Sequence, residues 1–476
     1  MKYTLFTGTS LLLIILLLSL NVTTMAQSRI DIITADQGMG GVIDGETVRI
    51  LLGNVRISTD RMILEADSLY QFTEREFIHA FNLQIETEDE IIWADSLIHN
   101  TQTDYSEFRG RVVIQSEKNT VFSESVDIDM TRDIAIFRER VRFEDESGIL
   151  VADSGLYYQQ IDSAIFRGNV QLADTTQYLE ADSLFMNRSA DFYKLYSRVY
   201  ADDFEELVTF SGNYLEADST GYRLLSGNAW MMRMNESQTD TTHLLARKIE
   251  VFESDTASVV DAFTGVKIWS PKFSALGDTA KFRDDTEQFF IWSNPIVWQK
   301  RIQLTGPYIE AHFEDDDIRF LQSYPKPIAV QQDSITNRLN QMTGDTLHAF
   351  FEAGDIKRIH VFDNTEIIFH QKDENGEPDG LIEMFSAGPS FIDFYESEVD
   401  EFKSERNIDG TFFPENPVNI ERKLDNFRWD PEMRPQRPAI REPRLPQIPA
   451  ERPFDMPPRY LMYLEEFQSG PPGTGS

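Results

Sequence analysis

A short phrase that returns at regular intervals constrains the fold of this chain more than any other feature of its sequence. The phrase is Ala-Asp-Ser with an apolar residue one or two positions before the alanine, and its copies recur with a period of about 29 residues. Ser123-Glu124-Ser125 fills the gap between the second and third copies. A fixed period of this length is typical of repeat proteins, in which each unit stacks on its neighbours. The copies are centred on Asp67, Asp95, Asp153, Asp182 and Asp218.

A second phrase accompanies the first at a constant offset. It reads Gly-Asn-Val or a variant of it, and it lies about 13 residues before each copy of the first phrase. Two phrases that keep one offset through consecutive units are difficult to explain by chance, so the chain is predicted to be a repeat array. The copies are Gly53-Asn54-Val55, Phe81-Asn82-Leu83, Gly110-Arg111-Val112, Glu139-Arg140-Val141 and Gly168-Asn169-Val170.

Each repeat is predicted to consist of β-strands. The residues after the Gly-Asn pairs alternate between apolar and polar types, as in Val55-Arg56-Ile57 and Val170-Gln171-Leu172. A period of two places the apolar residues on one face of a strand, and no stripe of helical period accompanies it. About 29 residues accommodate two strands of about ten residues with their turns. The sequence therefore predicts an elongated all-β array in which each repeat adds one strand to each of two facing sheets.

The apolar parity of the two phrases defines a predicted interior. In the first phrase Leu64, Ala66 and Ser68 share the apolar or small parity, whereas Glu65 and Asp67 point the other way. From alternation alone, a groove for a lipid and a dry core are equally good interpretations of this interior. The residues predicted to line it are Val55, Ile57, Leu64, Ala66, Leu83, Ile85, Ala94, Val112, Ile114, Val141, Phe143, Ala152, Val170, Leu172 and Ala181.

The N-terminal residues predict export from the cytoplasm. Lys2 precedes an apolar run from Leu11 to Leu20, and Thr24-Met25-Ala26 provides small residues for a signal peptidase. We therefore predict a cleaved signal peptide over residues 1–26, with an uncleaved anchor as the alternative. The sequence contains no cysteine, which excludes disulfides, thiolate metal sites and a lipid-modified N-terminal cysteine. This composition suits a bacterial envelope better than an animal extracellular space.

The charge balance argues against a nucleic-acid partner. The chain has 80 acidic and 44 basic side chains, which gives a formal net charge of −36. Such an excess repels the phosphate backbone of DNA and RNA over most of the protein surface. The 41% of hydrophobic residues is nevertheless sufficient for a folded core. We expect the acidic side chains on the outer faces of the strands.

No motif for catalysis, metal binding or cofactor binding is recognisable in the sequence. GxSxG, HExxH and P-loop motifs are missing, and the seven histidines lack the spacing of metal ligands. The repeated aspartates could form a calcium ladder, but Glu124 and Arg247 interrupt it, which favours hydrogen-bond acceptors at strand ends. The acidic run at 315–317 is predicted to be a solvated turn. The sequence predicts neither an enzyme nor a cofactor or metal.

The regularity of the repeat decreases along the chain. We predict regular repeats over residues 27–220 and more divergent β repeats over 221–400. An acidic insertion containing Asp202, Asp203, Glu205 and Glu206 is predicted to form a protruding loop. Aromatic residues are dense over residues 269–298, which fits either contact with sugar or lipid, or a thick core.

The last part of the chain differs in composition from the rest. Thirteen of the 20 prolines lie within residues 414–476, which predicts an extended linker or disordered tail. An apolar patch that begins at Tyr460 and Leu461 is a candidate anchor, either on a partner or on the body of the protein.

The two phrases, together with the N-terminal signal, resemble the OstA-like family, which contains periplasmic lipopolysaccharide-transport proteins of the LptA type. In that family the matching phrases are a Gly-Asn-Val strand start and an Ala-Asp strand. The resemblance covers about residues 30–325 and is closest up to 220. It implies an antiparallel β-jelly roll shaped like a folded taco, whose groove holds the acyl chains of lipid A. The greater length, the acidity and the C-terminal extension of this chain depart from the compact family members.

The resemblance also implies a location and partners. A protein of this kind would lie in the periplasm of a Gram-negative bacterium, either free or in association with the outer membrane. Its partners would be lipopolysaccharide, homologous jelly-roll proteins or further copies of itself joined edge to edge, and the outer-membrane translocon. The alternative from another class is a structural or adhesive β-repeat envelope protein with a dry core and no ligand. An unpaired strand at the N-terminal or the C-terminal edge of the array is the predicted docking edge, and crosslinking from residues near Ile50 tests it.

Overall fold

The computed structural model describes residues 31–59, 62–117, 119–145, 148–187, 189–235, 237–254, 257–314, 317–439 and 452–469. The chain divides into two compact units. The first unit contains residues up to 205, the segment 214–219 and the residues from 444 onward. The second unit contains residues 206–213 and 220–443. The predicted signal peptide lies outside the described residues, and so do Asp315 and Asp316 of the acidic run.

The first unit consists mainly of strands. Those before residue 205 are β1 (Asp31–Thr34), β2 (Gln37–Ile43), β3 (Glu46–Ser58), β4 (Ile63–Phe72), β5 (Phe77–Glu86), β6 (Glu90–Asn100), β7 (Tyr105–Ser116), β8 (Asn119–Asp129), β9 (Ile134–Phe137), β10 (Val141–Asp145), β11 (Gly148–Ala152), β12 (Ser154–Tyr158), β13 (Ser163–Asp174), β14 (Gln177–Asn187) and β15 (Phe192–Asp203).

The second unit is also built from strands, and β16 (Val208–Asp218) has residues in both units. Its other strands are β17 (Tyr222–Met234), β18 (Thr241–Glu253), β19 (Ser258–Trp269), β20 (Ser274–Arg283), β21 (Gln288–Trp292), β22 (Ile296–Gln299), β23 (Ile302–Thr305), β24 (Tyr308–Glu314), β25 (Asp317–Ser323), β26 (Ile328–Gln332), β27 (Leu339–Thr343), β28 (Thr346–Glu352), β29 (Asp355–Phe362), β30 (Thr365–Lys372), β31 (Pro378–Ser386), β32 (Ser390–Tyr395), β33 (Glu398–Ser404) and β34 (Ile408–Pro414).

Helices are few among the described residues. The helix α1 (Pro458–Ser469) lies in the C-terminal part of the chain, and single 3-10 turns occur at Gln159–Ile161, Asn419–Glu421 and Pro431–Met433. None of the helices in the described part of the chain is long and apolar enough to cross a membrane. The predicted all-β fold is therefore confirmed.

Strands that follow one another in the first unit pair antiparallel. β3 pairs with β4, β4 with β5, β5 with β6, β6 with β7 and β7 with β8. Two such strands with their turns account for one repeat, as the spacing predicts. The arrangement agrees with the predicted antiparallel β-jelly roll.

The Gly-Asn phrase lies inside a strand and not at its start, in contrast to the strand start expected from the resemblance. Gly53 and Asn54 of β3 both have left-handed backbone conformations, with φ values of 69° and 44°. The pairing register with β4 shifts between Leu52 and Val55, so two residues of β3 lie opposite one residue of β4. This is a β-bulge, which bends the strand. Glycine and asparagine adopt the left-handed conformation at the lowest cost, which explains the phrase.

The second unit differs from the first in the length of its strands and in their division between two sheets. From β21 onward the strands are short, and each belongs to one of two antiparallel sheets. Sheet A contains β21, β24, β25, β28, β29, β32 and β33. Sheet B contains β22, β23, β26, β27, β30, β31 and β34. The predicted contribution of one strand to each of two sheets thus occurs in this unit, whereas the long strands of the first unit bend at their bulges.

The proline-rich tail is ordered where it is described, in contrast to the predicted disordered tail. After β34 the chain lies along sheet B, and the Gln341 side chain holds it in place. The amide of Gln341 donates to the carbonyl of Arg422 at 3.2 Å and accepts from the N–H of Leu424 at 3.0 Å. Gln303 holds Arg428 and Asp430 in the same way, at 3.0 Å and 2.8 Å. The side chains of the two buried glutamines therefore supply the hydrogen bonds that a neighbouring strand would make along this segment.

The tail docks again, on the first unit, through α1. Tyr460 of α1 is 3% exposed and packs with Trp93, Val113 and Phe122 on the outer face of β6, β7 and β8. The ring centroids of Trp93 and Tyr460 are 4.9 Å apart. The candidate anchor predicted at Tyr460 therefore contacts the body of the protein.

The acidic insertion near residue 202 is not the protruding loop that its composition predicts. Asp202 and Asp203 lie at the end of β15 and are 1% and 5% exposed. A carboxylate oxygen of Asp203 accepts the backbone N–H of Glu205 at 3.0 Å. These acids are buried because they belong to the strand end and its turn.

Candidate functional site

The candidate site is the apolar interior of the first unit. All of its predicted lining residues are buried, with exposures of 5% or less. The bulges divide the sheet of the first unit into two halves. The predicted lining residues lie on the inner side of the half that contains Val55 and Leu83, which we call half-sheet 1. The predicted lining residues are therefore buried in the interior of the first unit, and their contact with a lipid stays a prediction.

Pairing between strands assembles these residues into two rows that run across half-sheet 1. In the row next to the bulges, Val55 lies opposite Ala66 and Ala66 opposite Leu83, and the row continues through Ala94, Val141 and Val170 in the later strands. The second row joins Ile57, Leu64, Ile85, Ile92, Ile114, Val121, Phe143, Leu150, Leu172 and Leu179 through direct cross-strand pairs.

The sequence analysis missed a further row that belongs to the other half of the same strands, half-sheet 2. It predicted that Ser68 continues the inward parity of Leu64 and Ala66, but Leu69 is the buried residue, with 4% exposure. The inward parity changes at Asp67, opposite the bulge of β3. The available signal was the leucine after Ala-Asp-Ser. The missed row joins Leu69, Ala80, Leu97, Phe108, Val126, Phe137, Gly155, Phe166, Leu184 and Leu195.

Aromatic contacts show that the two half-sheets face one another. Phe143 lies in half-sheet 1, and Phe137 and Phe166 lie in half-sheet 2. The ring centroid of Phe143 is 5.5 Å from that of Phe137 and 5.4 Å from that of Phe166, and both pairs are edge to face. This geometry is favourable for buried aromatic rings. At the level of these strands, the interior is filled by the three phenylalanines.

The repeated aspartates accept hydrogen bonds from residues of the bulges. Asp153 accepts a hydrogen bond from the Asn169 amide at 2.8 Å, and Asp67 accepts one from the Asn82 amide at 2.7 Å. Where the bulge carries Arg111 instead, the guanidinium Nε donates to Asp95 at 3.0 Å. Arg198 of β15 donates to Asp182 in the same way, and no group of three or more potential metal ligands is found among the described residues. Asp67 and Asp95 lie in mid-strand, whereas Asp153 lies between β11 and β12, at a strand end as predicted.

Buried charge in the first unit lies on the outer side of the strands. Asp127 is 1% exposed, and its neighbours in the chain, Val126 and Ile128, face inward. Burial raises the pKa of Asp127, but hydrogen bonds from Arg109, Arg138 and Tyr105 outweigh it, and the net pKa lies below its usual value. The interior rows thus contain no charged side chain, although Ser123 takes the place of an apolar residue between Val112 and Val141.

One end of the first unit presents strand edges. Among the described residues, β1 and β2 pair only with β3. Met39 and Val42 of β2 are 47% and 72% exposed. The predicted docking position Ile50 lies opposite Met39, one strand inside this edge, so the edge itself is formed by β2. Unpaired N–H and C=O groups of such a strand can pair with another chain.

An enclosed apolar space also lies between sheets A and B of the second unit. Its volume is about 20 Å³, and it is lined by Ile302, Met342, Ile359, Ile392 and other apolar side chains. A single water occupies about 10–15 Å³ by the same measure. The space is therefore much too small for an acyl chain without movement of the two sheets.

Comparison with known proteins identifies a family match in the first part of the chain. Residues 27–182 match the model of the OstA-like protein family and form an OstA-like segment, which confirms the resemblance seen in the repeats. No curated protein matches the chain. Nineteen chains of solved structures do match. One is the crystal structure of LptH, described as the LptA-homologous periplasmic component of the conserved lipopolysaccharide transport device from Pseudomonas aeruginosa. The identity is 16%, the match covers 23% of this chain and 81% of that chain, and the TM-score is 0.21.

Proposed function

We propose that this protein is a periplasmic carrier or bridge that shelters the acyl chains of lipopolysaccharide during transport to the outer membrane. The observation that carries the proposal is the set of inward rows between the half-sheets of the OstA-like segment, residues 27–182, which are apolar apart from Ser123. The proposed ligand is lipid A, and the proposed lining is the set of inward residues of half-sheet 1 and half-sheet 2.

The energetics of lipid transfer favour such an interior. Moving an acyl chain into water costs about 0.8 kcal/mol per methylene, so a chain of a dozen carbons needs shelter worth roughly 10 kcal/mol. The rows present similar side chains in each strand, as Val55, Leu83 and Val170 illustrate. A lipid would therefore meet similar binding free energies at successive positions, without a deep trap.

Entry of an acyl chain requires movement in the interior. Phe143 packs on both Phe137 and Phe166, so an acyl chain at this level must displace these rings. The two halves of each strand are joined at the bulges, which are the points where the strands bend. We propose that the half-sheets separate about the line of bulges to admit the acyl chains.

The proposed partners dock on the strand edges. β2 offers an unpaired edge with exposed Met39 and Val42, and homologous jelly rolls or a second copy of this chain could extend the sheet there. The outer-membrane translocon is the proposed acceptor of the lipid. A photoreactive residue at Met39 should capture an envelope partner in cells, and a protein that crosslinks nothing from this position would contradict edge docking.

Photocrosslinking from the interior tests lipid binding directly. A photoreactive residue at Ile85 or Val170 should capture lipopolysaccharide in Gram-negative cells, because both side chains face the interior and are at most 5% exposed. The matched control is a photoreactive residue at Gln171, which alternates with Val170 and Leu172 and faces outward. We expect a shifted, lipopolysaccharide-reactive band from the inward positions and none from Gln171. Equal crosslinking from Val170 and Gln171, or none from Ile85 and Val170, contradicts the proposal.

The alternative function is a structural or adhesive envelope protein with a dry core. The edge-to-face packing of Phe137, Phe143 and Phe166 favours it, because rings in this geometry fill the interior without a ligand. Mass spectrometry of the purified protein separates the two functions. Co-purified lipid A supports the carrier, and a lipid-free interior together with negative crosslinking supports the structural protein.

A further inference from the structure

The outer face of sheet A in the second unit carries a continuous row of aromatic side chains. These residues alternate with the core residues Ile309, Leu321 and Ile359, which are 2% exposed or less. The outward positions are only partly buried. The row contains Phe290, Trp292, Tyr308, His312, Phe320, His348, Phe350, His360, Phe362 and Phe391.

Ring contacts connect neighbouring strands of the row. His312 lies opposite Phe320 and Phe320 opposite Phe350, the Phe350 ring contacts His360 diagonally, and His360 lies opposite Phe391. Neighbouring ring centroids are 4.6–5.4 Å apart along this path. With strands about 4.8 Å apart, the row from β21 to β32 is about 25 Å long.

Polar groups accompany the rings at each step of the row. Glu310 lies between Phe290 and Gln322 in the cross-strand pairing. Its carboxylate accepts hydrogen bonds from the Tyr308 hydroxyl at 3.1 Å and from the Gln322 amide at 2.6 Å. These side chains place donors and acceptors beside partly exposed ring surfaces.

Along this row, an arginine is paired with an aspartate and two histidines are uncharged. The guanidinium of Arg358 donates to Asp393 at 2.7 Å. Burial lowers the pKa of both His348 and His360, which leaves these imidazoles uncharged at neutral pH. In a protein with a net charge of −36, the row is therefore a comparatively neutral strip.

We propose that the outward row of sheet A is a binding surface for an uncharged glycan chain. A pyranose ring offers an apolar C–H face that packs on aromatic rings, and hydroxyl groups that both donate and accept hydrogen bonds. The row supplies both kinds of contact in each cross-strand step, from Phe290 and Glu310 to His360 and Phe391. This surface is separate from the interior of the first unit, and it goes beyond the proposed carriage of acyl chains.

Other occupants fit the row less well. An anionic membrane surface is recognised by clusters of unpaired lysine and arginine, whereas Arg358 is engaged by Asp393. A protein partner needs an apolar interface core depleted of charged groups, whereas Glu310 lies in the middle of this row. An uncharged, hydroxyl-rich chain matches the mixture of rings, amides and imidazoles.

Titration of the full mature chain with defined sugars tests the proposal. The probes are cellohexaose, chitohexaose and maltohexaose, observed by saturation-transfer NMR and by isothermal titration calorimetry. We expect saturable binding of at least one probe at millimolar concentration or below. Tyr308→Leu and Phe350→Leu should each weaken that binding by about tenfold, which corresponds to about 1.4 kcal/mol.

A matched control lies on an outward face of the first unit. Tyr196 is 41% exposed and its ring centroid is 5.2 Å from that of Tyr214, so Tyr196→Leu removes an exposed aromatic ring elsewhere. This variant should leave glycan binding unchanged. If either row variant fails to fold, a change in wild-type tryptophan emission on glycan addition that is lost in Trp292→Phe supports the proposal.

Several results would overturn the glycan surface. No saturable binding of any probe by the folded wild-type chain is one of them, and equal loss of binding in Tyr196→Leu and Tyr308→Leu is another. Vesicles of phosphatidylethanolamine and phosphatidylglycerol form the second arm of the experiment. Row-dependent binding to these vesicles without any response to glycans assigns the row to a membrane surface instead.

Discussion

Deletion of residues 452–476 is expected to lower the free energy of unfolding of the first unit by about 2–4 kcal/mol. Without α1, the outer face of β6 to β8 loses its cover, and Trp93, which is 0% exposed, meets water. The deletion also removes the ion pair between Arg459 and Asp67, whose atoms are 3.0 Å apart. Loss of hydrogen-exchange protection in peptides spanning β6–β8 during urea unfolding measures the effect.

Point variants of α1 test whether the packing of its buried face accounts for the stability that the tail provides. Tyr460→Ala removes a ring that is 3% exposed and should reproduce most of the loss, about 2–3 kcal/mol. Leu461→Ala and Met462→Ala change side chains of the same helix that are 47% and 59% exposed, and their effect should stay within about 0.5 kcal/mol. Equal effects of Tyr460→Ala and Met462→Ala would refute docking through the buried face of α1.

The docking of α1 could not be predicted from the proline-rich composition of the tail. Proline content correctly excludes a strand, but it says nothing about whether an extended segment finds a surface. The surface itself is visible in the alternation, because outward positions that are polar in Arg56 and Gln171 become Trp93, Val113 and Phe122 in three adjacent strands. Apolar residues at outward parity require a cover.

The core of half-sheet 1 could be predicted from the sequence because its alternation is uninterrupted over short segments. Val55-Arg56-Ile57 and Val170-Gln171-Leu172 each remain in register with their neighbours. Half-sheet 2 could not be predicted in the same way, because the strand opposite each bulge inverts its inward parity, as β4 does between Ala66 and Leu69. Period-two reasoning carried through Asp67 therefore selected Ser68 instead of Leu69.

The burial of Asp202 and Asp203 shows a second limit of composition. Four acids within five residues resemble a solvated loop, yet β15 extends through both aspartates. The backbone N–H groups of the following turn satisfy part of the Asp203 carboxylate. Local hydrogen bonding of this kind depends on where the strand ends, and strand ends are set by pairing with β14.

The bulge glycines provide the last and most direct test of how the repeat specifies the fold. Gly168 has a φ of 76°, and a Cβ atom added there would lie 2.4 Å from Oδ2 of Asp153. Gly168→Ala should therefore destabilise the first unit by about 2–4 kcal/mol, from left-handed strain and from the collision. Gly45 has a φ of 84° with no heavy atom within 4 Å of the added Cβ, so Gly45→Ala reports strain alone, about 1 kcal/mol.

A double-mutant cycle identifies the collision partner. In an Asp153→Gly background the space beside Gly168 is free, so Gly168→Ala should cost only about as much as Gly45→Ala, and the coupling should exceed about 1 kcal/mol. Urea unfolding followed by hydrogen exchange in β11 and β13 measures each variant. If Gly168→Ala and Gly45→Ala cost the same, the close approach of aspartate and glycine does not explain the pairing of the two repeated phrases. If the predicted difference is found, the phrases recur together because each bulge glycine makes room for the aspartate that fastens the neighbouring strand.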